Sequence, residues 1–230
     1  MKKIAIITGA SGNLGRAVVN KFLDQDYHVI GTVIAKDPVP LDIKNQHFEK
    51  VEVDLGSEKD AENLFNQIIS DHGVIDAAVF TVGGFAMGKI AETRIADINK
   101  QYKLNFETAY NSARPVFLQM MKQKNGRIFL IGSRPGLEAR SGKGMIAYSL
   151  AKSLIFRLAE LMNEEAKGTN VVVCVIVPST IDTPQNRQSM PDSDFTKWVK
   201  AEDIAEIIYF YCTPQASVIR ESMIKVYNFS

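Results

Sequence analysis

Thr8-Gly9-Ala10-Ser11-Gly12-Asn13-Leu14-Gly15 follows directly on the apolar run 4–7 and places a glycine at every third position as an extended pattern gives way to a helical one. Glycine permits a tight turn and close approach of the main chain, and the helix that follows offers unpaired N–H groups and the positive end of its dipole. A strand before and a helix after make this a phosphate-cradling turn of a dinucleotide site rather than a glycine-rich loop without a ligand. Outward from the turn, the same alternation continues. Short β-branched runs fall at 3–8, 28–34, 48–53, 75–81, 127–131, 171–177 and 223–227, and segments of helical period at 14–25, 58–71, 95–124, 145–167 and 202–211. Ser57 stands where it can cap the second helix. The run 171–177 is apolar throughout, as a central strand covered on both faces requires. With right-handed crossovers, the order predicts a doubly wound seven-stranded parallel sheet with helices on both faces.

The chain has 230 residues, 46% hydrophobic and 23% charged, in proportions that favour a folded domain with a sizeable core. No linker, compositional break or fixed-period repeat divides it, so one α/β domain of the Rossmann type is expected over 1–230. A net charge of +1 gives no electrostatic reason to expect nucleic acid or an anionic membrane as partner. Cys174 and Cys212 are too few for a disulfide framework or a zinc site, and no metal centre is expected. The apolar run after Met1-Lys2-Lys3 stops at Thr8, too short for a secretory leader, and 171–177 is far too short to span a bilayer. A cytoplasmic setting is the expectation.

In such folds, an acidic side chain at the end of the second strand bonds the adenosine ribose of NAD, whereas a basic one accommodates the 2′-phosphate of NADP. Here the strand runs out into Thr32-Val33-Ile34-Ala35-Lys36, with Asp37 late and before a proline. This favours NADP, with Lys36 as the selector or alternatively a solvated loop residue, and leaves NAD possible. Asp54, after the third strand, suits either the adenine edge or a turn before Gly56. Further on, Tyr148-Ser149-Leu150-Ala151-Lys152 puts a phenol and an ammonium one helical turn apart on one face. An adjacent cation favours the phenolate and brings a poor proton shuttle toward its working range.

Taken together, the glycine turn, Tyr148 with Lys152, a serine after the fifth strand and an asparagine in the helix before it resemble the short-chain dehydrogenase/reductase family over nearly the whole length. The resemblance implies an NAD(P)-dependent oxidoreductase acting on a small carbonyl or alcohol substrate, with Tyr148 as proton donor or acceptor. Lys152 would lower the pKa of the tyrosine and bond the nicotinamide ribose. Ser133 would hold the substrate oxygen, with Ser141 as the alternative, and Asn105 would support a proton path to the lysine. Cofactor contacts are implied at Gly9, Ser11, Gly12, Asn13, Leu14, Gly15, Lys36, Asp54, Leu55, Gly83, Tyr148, Lys152, Pro178, Thr180 and Thr183.

The chain also departs from the family pattern. Thr81-Val82-Gly83-Gly84 replaces the usual asparagine-rich segment, Pro178-Ser179-Thr180 replaces a proline and glycine, and the glycine spacing is that of longer members. A narrower resemblance, in Val82 to Gly88, Gly144 to Tyr148 and above all the stretch from Asp182 to Pro191, is to dihydropteridine reductases, which reduce quinonoid pterins. It implies a substrate flap at about 179–200, with Phe85, Met87, Met145, Phe195 and Trp198 as candidate pocket residues and Arg187 and Arg134 as candidates for an acidic group. Family resemblance also implies a dimer or tetramer formed through helices 95–124 and 145–167. A non-catalytic dinucleotide sensor is the reading from another class; such a protein has no need of the full tyrosine, lysine, serine and asparagine set.

Overall fold

A computed structural model describes residues 2–37 and 39–229. In chain order the elements are β1 (Ile4–Thr8), α1 (Asn13–Asp24), β2 (His28–Val33), β3 (Phe48–Glu52), α2 (Glu58–His72), β4 (Ala77–Phe80), α3 (Ile95–Tyr102), a π-helical segment (Lys103–Glu107), α4 (Thr108–Gln123), β5 (Asn125–Ile131), α5 (Arg134–Leu137), α6 (Ile146–Glu165) and β6 (Asn170–Pro178). They are followed by β7 (Ile181–Asp182), α7 (Pro184–Ser189), β8 (Val199–Lys200), α8 (Ala201–Phe210) and β9 (Met223–Val226). Seven strands form one sheet in the order β3-β2-β1-β4-β5-β6-β9, every pairing parallel. The strand order reverses beside β1, so the carboxyl ends of β1 and β4 border the crevice in which such sheets bind ligands.

Period-two burial divides the core. Ile4, Ile6, Ile30, Ile128 and Leu130 pack with α2, α4 and α6 on one face, while Ala5, Ile7, Val29, Phe129 and Ile176 pack with α1 and α8 on the other. Each helix supplies a stripe. In α2 it is Ala61, Phe65 and Ile68, and the Ser57 hydroxyl caps that helix by accepting from the Asp60 amide at 3.3 Å. At roughly 25 cal/mol per Å² of apolar surface removed from water, a fully buried side chain such as Phe65 stabilises the fold by about 2–3 kcal/mol.

The segment expected as one helix over 95–124 is three pieces, because a π-helical stretch inserts an extra residue into the helical ladder between α3 and α4. The fourth strand is shorter than 75–81. The Ile75 amide is taken by the Gln123 side chain at 3.0 Å, and Thr81 leaves the strand to donate its hydroxyl to the Thr8 carbonyl at 2.7 Å. The region 179–200 contains the two-residue pair β7 and β8 with α7 between them, elements too short for a hydrophobic period to reveal. Among the described residues, no helix is long and apolar enough to cross a membrane.

Candidate active site

The first wall of the crevice is the glycine turn. Gly9 has φ +65, and a Cβ there would press on the Thr81 hydroxyl oxygen at 2.9 Å. Gly15 allows α1 to lie against the turn, since a Cβ there would overlap the Gly9 carbonyl. The turn is closed by Gly12 N–H donating to Gly9 O at 3.0 Å and Ala10 N–H donating to Thr32 O at 2.9 Å. Gly12 sits at the N-cap position, where no side chain caps α1, and the first turn carries no acidic residue. The leading amides of a twelve-residue helix are thereby left for an anion. Leu14 is buried in the core, so only its backbone can serve the turn.

Beyond the turn, Ser11 donates to Asp37 at 2.5 Å, and the Val39 amide donates to the other Asp37 oxygen at 2.9 Å. The Ser11 bond, aided by that amide, holds the Asp37 carboxyl below the usual carboxylate range. Lys36 is exposed, with a left-handed φ of 58. Asp54 accepts the Gly56 amide at 2.9 Å, the turn-forming role, and Leu55 is buried with its carbonyl accepting from Asn111 at 2.9 Å.

The second wall comes from the π-helical segment. Asn105 is 1% exposed; its Oδ1 accepts the Gly84 amide at 3.1 Å, and its Nδ2 donates to Gly84 O at 2.9 Å and to Gln101 Oε1 at 2.9 Å. A Cβ on Gly83 would fall 2.7 Å from Asn105 Oδ1 and 3.2 Å from Lys152 Nζ. Two helices thus bring these groups to one spot, and glycine is the residue that leaves room between them.

The third wall is α6. Tyr148 and Lys152 lie one turn apart on it, with the buried stripe Ala147, Ala151, Ile155 and Ala159 pinning the helix to the sheet. Lys152 donates to Ile131 O at 2.7 Å, and burial pushes its ammonium down to about 8. Ser133 caps α5 by accepting the Gly136 amide at 3.2 Å, and its hydroxyl lies near enough to the Tyr148 phenol to influence its pKa. Burial raises the pKa of the Tyr148 phenol, and the nearby Ser133 hydroxyl opposes that rise only in part, so the phenol keeps its proton at neutral pH. Ser141 lies on a short 3₁₀ turn beyond α5, and it is Ser133 that meets the tyrosine.

A hollow of about 340 Å³ lies between the loop 85–88 and α3, lined by Phe85, Met87, Asp97, Gln101, Leu104 and Ala147 among others. Phe85 meets the Tyr148 ring edge-on, with centroids 5.2 Å apart, and is 60% exposed; Met87 is 66% exposed. Their loop is held in place because Gly88 N–H donates to Gly144 O at 2.7 Å and Ile146 N–H to Gly88 O at 3.1 Å. Across the crevice, α7 reaches the glycine turn, where Asn13 Nδ2 donates to Gln185 Oε1 at 2.9 Å. Thr183 caps α7 by accepting the Asn186 amide at 3.1 Å. Pro178 ends β6, and the Thr180 carbonyl accepts the Val199 amide at 3.0 Å.

The other candidates make contacts within the chain. Arg187 forms a two-point pair with Asp182 at 2.6 and 2.7 Å and stacks on Phe195, which itself packs against the buried Trp198. Arg134 stacks on Tyr227. Gln101, which anchors Asn105, was not among the expected residues. Its position four before Asn105 on the same helix was the available signal.

Comparison with known proteins shows the family and the fold. Residues 3–194 match the family model of the short chain dehydrogenases. Over 190 residues the chain is 26% identical to acetoacetyl-CoA reductase of Acinetobacter sp. (strain RA3849), covering 80% of this chain and 76% of that one. Over 216 residues it is 26% identical to dihydropteridine reductase of Dictyostelium discoideum, covering 93% and 89%. The structure of ElxO with NADP bound superposes with a TM-score of 0.88 at 23% identity, covering 98% of this chain and 97% of that chain.

Proposed function

The chain belongs to the short chain dehydrogenase family and is an oxidoreductase of that class, and on that premise we propose that it reduces a carbonyl group, or oxidises the corresponding alcohol, using Tyr148 as the proton donor or acceptor. The observation that carries this reading is the gathering of Ser133 with Tyr148 and of Lys152 with Asn105 about Gly83, with the Tyr148 ring against Phe85, a residue that lines the neighbouring hollow.

The residues present fit a nicotinamide dinucleotide. The uncapped start of α1 and the Cβ-free cradle at Gly9 suit its pyrophosphate, with Ser11, Gly12, Asn13 and the backbone of Leu14 around it. Asp54 and Leu55 would border the adenine, Gly83, Tyr148 and Lys152 the nicotinamide ribose, and Pro178, Thr180 and Thr183 the nicotinamide end. When bound, the dinucleotide supplies or takes the hydride. NADP is the cofactor of this reading: Lys36 is free to meet a 2′-phosphate while Asp37 is engaged with Ser11 and the Val39 amide, and the ElxO structure carries NADP.

In the reducing direction, the Ser133 and Tyr148 hydroxyls point two donors at the substrate oxygen. Tyr148 enters the reaction protonated, because burial raises its pKa. As negative charge gathers on that oxygen, the phenol passes its proton to it. An ammonium with pKa near 8 then stands one turn away to stabilise the phenolate left behind. Asn105, held on both sides by Gly84 and by Gln101, fixes the wall against which Lys152 lies.

The apolar rim of Phe85 and Met87 suits a small carbonyl compound with a ring or chain beside the reacting centre. Segment 179–200 would act as a flap, and residues 1–230 as one functional domain. The exposed Tyr110 and Leu118 of α4 and Leu150, Leu154 and Leu161 of α6 suit assembly into a dimer or tetramer in the cytoplasm. A second reading, reduction of a quinonoid dihydropterin, is favoured by the Dictyostelium relative. Oxidation of NADPH and NADH against ketones, quinones and quinonoid dihydropterin separates the two. Tyr148→Phe is expected to lower kcat at least 100-fold, the order seen when one aimed donor is lost, with cofactor Kd unchanged within about twofold. A variant as fast as wild type removes Tyr148 from the chemistry.

A further inference from the structure

The chain has three histidines, and all three gather at one corner, at the opposite end of β2 from the glycine turn. His28 is the first residue of β2 and His72 the last of α2, while His47 immediately precedes β3 and its carbonyl accepts the Val29 amide at 2.8 Å. Glu49, the second residue of β3, joins them. Ring nitrogens of His28 and His72 and a carboxylate oxygen of Glu49 all lie within 4.8 Å of one another. His28 Nε2 is 3.7 Å from Glu49 Oε2, too long for a hydrogen bond, and that nitrogen is buried without any hydrogen-bond partner. The two rings stand 5.1 Å apart at 40°, neither stacked nor bonded.

We propose that His28, Glu49 and His72 form a binding site for a transition-metal dication, Zn²⁺ foremost. The donor set is two imidazole nitrogens and one carboxylate oxygen, which suits Zn²⁺, Co²⁺ or Ni²⁺ and disfavours the all-oxygen cations Mg²⁺ and Ca²⁺. Bonds of about 2.0–2.2 Å to a tetrahedral ion put donors roughly 3.4 Å apart, so the group must close by about 1.4 Å at most. Glu49 can supply that movement, because its side chain is 52% exposed. Three protein ligands leave a fourth position for water. The ion would join β2, the edge strand β3 and α2. Five residue steps at about 3.3 Å separate it from the carboxyl end of β2, which makes it a clamp on the adenosine half of the sheet and no part of the reacting centre.

The test uses the full chain without a histidine tag, freed of metal by chelator and titrated with ZnCl₂ by calorimetry and with CoCl₂ by visible absorption. One equivalent per chain is expected, with the intense spectrum of tetrahedral Co²⁺ and a Tm raised by about 5 °C at saturating Zn²⁺. His72→Ala and Glu49→Gln are expected to weaken Zn²⁺ binding at least tenfold, and His47→Ala by less than threefold. The His72→Ala and Glu49→Gln variants should keep the Tm of the metal-free wild type, which shows that they are folded. Absence of stoichiometric binding overturns the proposal. So does affinity unchanged in His72→Ala and Glu49→Gln, or lost equally in His47→Ala.

Discussion

Replacing Lys152 with methionine tests the energetics of the site most directly. The ammonium is 5% exposed and is pushed from an ordinary value of 10.5 to about 8, so the folded chain holds this proton less tightly than the unfolded one. Between those values the unfolded state binds more protons, and stability must rise with pH across that window. At pH 7 the charged side chain costs about 3 kcal/mol, from some 2.5 pH units at about 1.4 kcal/mol each. Methionine removes that cost but forfeits the 2.7 Å bond to the Ile131 carbonyl, an offset of about 1 kcal/mol. The variant should therefore be more stable than wild type by about 2 kcal/mol at pH 7, raising Tm by about 4–8 °C for a chain of this size. At pH 9.5 the cost to wild type falls to about 1.4 kcal/mol, so the advantage nearly disappears. Urea titrations of both proteins at the two pH values measure this, with kcat expected to fall steeply in the same variant. Equal stability at pH 7, or an advantage independent of pH, would refute the view that a desolvated ammonium is held in the site at the expense of the fold.

Gly83→Ala places a methyl group 2.7 Å from Asn105 Oδ1 and 3.2 Å from Lys152 Nζ; kcat should drop at least tenfold, measured by steady-state turnover, with the fold retained by circular dichroism. Gln101→Leu removes the 2.9 Å partner of a buried amide and should lower stability by about 1–2 kcal/mol, read from the urea midpoint. Gln185→Ala breaks the bond that joins α7 to the glycine turn; dinucleotide release in stopped flow should quicken severalfold while Tm stays within about 1 °C, because the bond is exposed.

The central strands were legible because both of their faces are covered, so apolar residues mark nearly every position, as in β1 and β6, whereas the edge strands β3 and β9 are largely uncovered and carry polar residues. Tyr148 and Lys152 could be picked out by their one-turn spacing together with their place after the fifth strand, and Ser133 through the family resemblance. What the chain does with their charges could not be read there: the direction of the Tyr148 shift depends on burial, which only the folded chain creates. The break at 103–107 was hidden because an added helical residue leaves the apolar pattern on both sides intact. Likewise, His28, Glu49 and His72 are 21 and 23 positions apart, and only the pairing of β2 with β3 and the return of α2 bring them together.

The π-helical stretch has a mechanical corollary. In an α-helix each residue advances the azimuth by about 100°, so one supernumerary residue sets the rotational phase of everything beyond it. Before and within it, Gln101 and Asn105 aim at the crevice; downstream, Val116, Phe117 and Met120 aim at the core. A uniform helix could not satisfy both bearings. Excising one residue from 103–107 would force a choice between a chemically competent protein with a misaligned interior and a well-packed one whose amide looks the wrong way.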